Sequence, residues 1–136
     1  MRNRAKFATI TGLAALVALS APVVTQAHHS FAVFFDDSRL VRIEGVVKQY
    51  RFANPHGSIV VTVTAASGRE YDWRIETNSP SILARRGWSP RSLRPGDHVI
   101  VEGWMARDGS RYMRLRQATD ADGNPVGTGA FSSGED

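Results

Sequence analysis

The sequence predicts a small all-β domain with one short helix, a five-stranded OB-like barrel. Three observations point to it. Five segments alternate apolar and polar residues or are dense in β-branched ones. One short helical pattern falls between the third and the fourth of them. Glycines stand inside two of the strand patterns, Gly45 and Gly103, where a closing sheet bends sharply. Closure removes exposed edges; an open five-stranded α+β sheet is the alternative.

Residues 1–27 read as a secretory signal peptide. Arg2, Arg4 and Lys6 give a positive start, "FATITGLAALVALSA" is the apolar middle, and Thr25-Gln26-Ala27 ends in the small residue a signal peptidase requires. The apolar run is shorter than the roughly 20 residues of a membrane span, so no span is expected once the signal is removed. Cleavage after Ala27 leaves 109 residues, one domain, with 14 basic against 13 acidic side chains and a charge of +1. Much of the basicity of the whole chain thus belongs to export. That balance, with export itself, argues against a nucleic-acid partner. The chain has no cysteine, so thiolate chemistry and Cys-ligated metals are ruled out, and the core must stand without disulfides.

The domain is expected over residues 28–119. Residues 28–38 carry Phe31, Phe34 and Phe35 without a clean period and read as an arm packed on the body. In the first strand (40–51), Val41, Ile43, Gly45 and Val47 share one face, with Arg42, Glu44 and Lys48 on the other. "ANPHG" (53–57) is a loop of turn formers. "SIVVTVTAA" gives the second strand (58–65). The third (69–76) alternates Tyr71, Trp73 and Ile75 with charged residues. Ser79 as N-cap, Pro80 at the first helical position and Gly87 past the end bound a helix near 80–86. Two further strands, 98–105 and 111–118, flank the "RDGS" turn. Residues 120–136 are Gly-rich and polar and read as a flexible tail. The expected core is Val41, Ile43, Val47, Ile59, Val61, Val63, Trp73, Ile75, Leu83, Val99 and Val101.

The blocks "AHHSFAVFFD", "GVVKQYRFANPHG", "WRIETNSPSILARRGW" and "SLRPGDHVIVEG" resemble, in order, a family of small exported bacterial proteins known only as a domain of unknown function. The resemblance covers most of residues 27–105. It implies export and a β-rich domain, and it implies no reaction. The matching positions include His28, His29, Ser30, Phe31, Asn54, Pro55, His56, Gly87, Trp88, Pro95, Gly96 and Asp97; His98 stands outside the pattern.

Three of the four histidines lie in these blocks. Cleavage after Ala27 would make His28 the first residue. Its amine, which as an ordinary chain terminus titrates at about 7.7 to 8, and its imidazole could then chelate one metal ion, with His56 as a third nitrogen. Nitrogen ligands of this kind suit Cu(II) best among common divalent ions, ahead of zinc or nickel. The arrangement resembles the N-terminal histidine brace of copper proteins in chemistry, not in fold. His29 would contribute or support. The sequence thus yields a metal site of His28, His56 and His29, in an exported protein without evident catalysis: there is no nucleophile motif and no phosphate-binding Gly loop. The other reading is an interaction module that binds a periplasmic protein or small ligand on the barrel face, without metal. Trp73, Trp88 and Trp104 are expected to pack in the core and at the barrel ends. Arg74, Arg85, Arg86 and Arg114 are expected on a solvated face, and Glu76 and Asp97 as ordinary strand-end acids.

Overall fold

The computed structural model of the chain describes residues 31–135. The elements are α1 (Phe31–Phe34), β1 (Phe35–Arg51), β2 (Ser58–Thr64), β3 (Glu70–Glu76), α2 (Pro80–Arg85), β4 (His98–Ala106) and β5 (Tyr112–Asp120). The five strands close into a barrel in the order β1-β2-β3-β5-β4, which is the OB-type arrangement the sequence predicts.

β1 makes closure feasible because it is long enough to belong to both halves of the sheet. Its stretch Leu40–Val46 pairs with β4, and Val46–Arg51 pairs with β2. Val46 is paired on both sides. The adjoining Gly45 lies so close to the β2 backbone that a Cβ would collide with the Thr62 carbonyl, so only glycine lets the strand change partners there. A register shift between Val47 and Gln49 adds to the bend. All strand pairs are antiparallel except β3 with β5, which run parallel over just three positions, Arg74↔Tyr112, Ile75↔Met113 and Glu76↔Arg114. This short seam closes the barrel.

The inward faces follow the alternation. Ile43, Val47, Ile59, Val61, Trp73, Ile75, Leu83, Val99 and Val101 are buried as expected, joined by Met113, Leu115 and Ala118 of β5. Full burial of each large aliphatic side chain is worth about 1.5–3 kcal/mol. Val41 and Val63, also expected inside, are only partly covered and pack against the rim of this core. All three tryptophans are buried. Ser79 does stand at the N-cap of α2, but its hydroxyl makes no cap hydrogen bond and pairs with the Ser81 hydroxyl at 3.0 Å.

The two ends of the chain depart from expectation. β1 starts at Phe35 rather than 40, and α1 precedes it. Phe35, Trp104 and Ala106 form a second small core, with Phe31 and Tyr112 against it. At the other end, residues 121–135 are packed on the barrel instead of forming a flexible tail. Val126 N–H donates to the Ala118 carbonyl (2.9 Å), Thr128 N–H to that of Arg86 (2.9 Å) and Phe131 N–H to that of Arg116 (2.8 Å). Phe131 is 3% exposed and joins the main core. Burial of one aromatic ring and pairing of the backbone hold a segment whose composition alone suggests none.

Candidate functional site

The site is built around the loop between β1 and β2. Its Asn54–Pro55 bond is cis. Gly57 then enters β2 by continuing the ladder with the residues after β3: Thr77 N–H donates to the Gly57 carbonyl (3.0 Å) and Gly57 N–H to the Asn78 carbonyl (3.3 Å). A Cβ on Gly57 would lie 2.5 Å from Thr77 Oγ1 and 2.7 Å from the Arg51 carbonyl. Glycine is therefore what allows the loop to close down on Thr77. The neighbouring His56 is thereby held with Nδ1 3.2 Å from the Thr77 carbonyl oxygen.

A polar cluster lies beneath it. Arg114 is 5% exposed; its Nη1 donates to Glu76 Oε1 at 2.8 Å and lies 3.3 Å from His56 Nδ1. The Tyr112 hydroxyl donates to Glu76 Oε2. Burial first, and then the Glu76 hydrogen bond and charge, push the Tyr112 hydroxyl well above its ordinary range, so it stays a donor at every physiological pH. His56 can satisfy one neighbour at a time. With a proton on Nδ1 it donates to Thr77 and leaves Nε2 as a lone-pair nitrogen; with Nδ1 bare it accepts from Arg114 and Nε2 carries the proton. His56, Arg51, Arg74, Glu76 and Tyr112 line a cleft of about 290 Å³.

The arm docks beside this cleft. Phe31 meets Trp104 edge-on at 5.3 Å between ring centroids and Phe35 at 5.6 Å; Phe35 meets Tyr112 at 5.2 Å. Arg107 fixes its backbone through the carbonyls of Ala32 (2.8 Å) and Phe34 (2.9 Å). Of the three arm phenylalanines, Phe31 and Phe35 dock, while Phe34 is exposed.

Of the predicted ligands, His56 is in the cleft, and His28 and His29 lie outside the described residues. His98 is elsewhere, at the start of β4, with Nε2 3.7 Å from Glu44 Oε1 and in a different cleft with Asp97 and Asp120. Among the described residues no group of three or more His, Asp or Glu side chains is arranged to hold a metal ion, and no helix is long and apolar enough to cross a membrane. Sequence reading missed the Glu76–Arg114–Tyr112 cluster. Glu76 is not an ordinary strand-end acid, and Arg114 is not on a solvated face, because residues 121–135 cover the outer side of β5. Glu76 and Arg114 face each other only through the parallel seam, so no local signal marks them.

Solved structures share the barrel at low identity. The mitochondrial single-stranded DNA-binding protein Rim1 of S. cerevisiae aligns with 68% of this chain and 98% of its own at 14% identity, TM-score 0.47. The small single-stranded DNA-binding protein of Streptomyces coelicolor aligns with 60% of this chain and 90% of its own at 18% identity, TM-score 0.40. TiaS, in a complex with a transfer RNA and ATP, aligns with 63% of this chain but only 19% of its own at 22% identity, TM-score 0.41. These likenesses concern the fold alone. The expectation of no nucleic-acid partner is not upheld by these comparisons, two of which are with proteins named as single-stranded DNA-binding. No curated protein matches the chain. The family match is decisive where these are not: a model described as a family of unknown function, DUF6152, matches residues 15–114, and the chain belongs to that family.

Proposed function

We propose that the chain is an exported protein that is cleaved after Ala27 and then binds one Cu(II) without catalysis, through the amine and imidazole of His28 together with His56, His29 contributing or supporting. The supporting observation is the docking of the arm beside Tyr112, which lines the His56 cleft. Phe31 sits on Trp104, and three residues of chain span at most about 10 Å. The tether therefore keeps His28 within about 10 Å of the docked Phe31, next to the element that packs on Tyr112. The Thr77 carbonyl supports the same reading. Metal-ligating histidines usually donate their second ring N–H to such a group, which fixes the tautomer and turns the other nitrogen outward.

The test is Cu(II) titration of three forms: protein processed to begin at His28, protein with one residue left before His28, and His56→Ala. The first should bind most tightly. The second loses the terminal chelate and the third loses one nitrogen, with the fold retained because a loop residue carries little of the core. Affinity should fall as pH drops below about 6, where imidazole and amine hold their protons. Equal affinities in the three forms would remove the site and leave ligand binding on the barrel face as the better reading. Intact mass of the exported protein checks the cleavage: 109 residues are expected.

A further inference from the structure

Three polar side chains from separate parts of the chain converge on one acidic residue. Arg86, at the end of α2, grips the Glu135 carboxylate with its guanidinium: Nη2 lies 2.7 Å from Oε1 and 2.8 Å from Oε2, and Nε 3.1 Å from Oε1. Arg114 Nη2 donates to the Glu135 main-chain carbonyl at 3.3 Å, and the Asn78 amide nitrogen donates to the same oxygen. Arg114 and Asn78 are 5% and 0% exposed. The Asn78 side-chain oxygen is buried and has no partner among the described residues. A buried amide with its donor engaged and its acceptor left over is suited to a peptide bond, which offers one group of each kind.

Forked recognition of a carboxylate by arginine is directional and strong. Here it combines with two donors aimed at a main-chain carbonyl. Such a set reads an acidic residue within a peptide rather than a free anion. Arg86 also stacks over the Phe131 ring at 5.4 Å, so the apolar residue four positions earlier is held by the same side chain. We infer that Arg86, Arg114 and Asn78 form a binding site for an acidic peptide, that segment 131–135 fills it in cis, and that a peptide of the same chemistry binds there in trans when Glu135 is lifted.

The probe is the acetylated peptide Phe-Ser-Ser-Gly-Glu-Asp, titrated calorimetrically into the full chain carrying Glu135→Ala, which removes the carboxylate anchor and keeps the Phe131 ring. Binding is expected. The unchanged chain should bind at least about ten-fold more weakly, because its own segment competes at an effective concentration in the millimolar range. Adding Arg86→Ala should abolish uptake. A control peptide with Gln in place of Glu should not bind the Glu135→Ala chain, which tests the carboxylate without relying on the fold of the Arg86 variant. No uptake by Glu135→Ala, equal uptake by the unchanged chain, or equal uptake of the Gln peptide would overturn the site.

Discussion

Single positions set the geometry of the cleft more than their chemical type suggests. Gly57 is the clearest case, since any side chain would meet Thr77 Oγ1 and the Arg51 carbonyl. Gly57→Ala should cost about 1–3 kcal/mol through overpacking, read as a shift of the urea midpoint with an unchanged slope. Trp73, on the inner face of β3 and 8% exposed, should cost about 3–5 kcal/mol as Trp73→Ala in the same measurement. Glu135 gives a pH signature. Burial alone raises its carboxyl, but the Arg86 hydrogen bonds, the Ser132 N–H and the charges of Arg86 and Arg85 outweigh that and hold it below its ordinary value of 4.5. A carboxyl lowered in the folded state stabilises the fold fully above its ordinary value, and that stability is lost as pH falls through the lower folded value. Acid denaturation followed from pH 5 downward should therefore lose part of its steepness in Arg86→Ala. An identical acid profile would show that the pair does not hold the segment. The burial of Trp73 was legible in the alternation of the third strand, but the Arg86–Glu135 pair was not, because Arg86 reads as part of a solvated face and Glu135 as part of a polar end.

At the scale of elements, legibility depends on whether one face meets water. β1, β2 and β3 alternate because their outer faces are solvated along most of their length, and the sequence displays that period directly. β5 does not: Met113, Arg114 and Leu115 are buried in succession, since the barrel interior lies on one side and the returning segment on the other. The arm was legible as a docked element through its aromatic content, but not as helix and strand, because a register shift between Phe35 and Leu40 breaks the period. The arm also carries a prediction that depends on the copper reading. Phe31→Ala should lower Cu(II) affinity about ten-fold while the barrel still unfolds within a few degrees of the original midpoint, since Phe31 is only partly buried and lies outside the main core. An unchanged affinity would mean that docking of Phe31 does not serve the site.

For the whole molecule, the two clusters share strands. β4 supplies Val99 and Val101 to the larger and Trp104 and Ala106 to the smaller. They should therefore unfold together, with tryptophan fluorescence and far-ultraviolet circular dichroism giving coincident transitions; a separate early phase in fluorescence would indicate that the Trp104 cluster melts alone. The three-position parallel seam between β3 and β5 has a consequence in time. Its last pair joins Glu76 to Arg114, the two charged residues under His56. Hairpin pairings such as β2 with β3 join neighbours in the chain and can form as soon as those few residues are free to fold. The seam cannot, because it waits for residue 114 and must close the longer loop. The polar floor of the cleft is thus completed only after the last strand has paired, and a partly folded chain that already displays His56 does not yet have the surroundings that hold it.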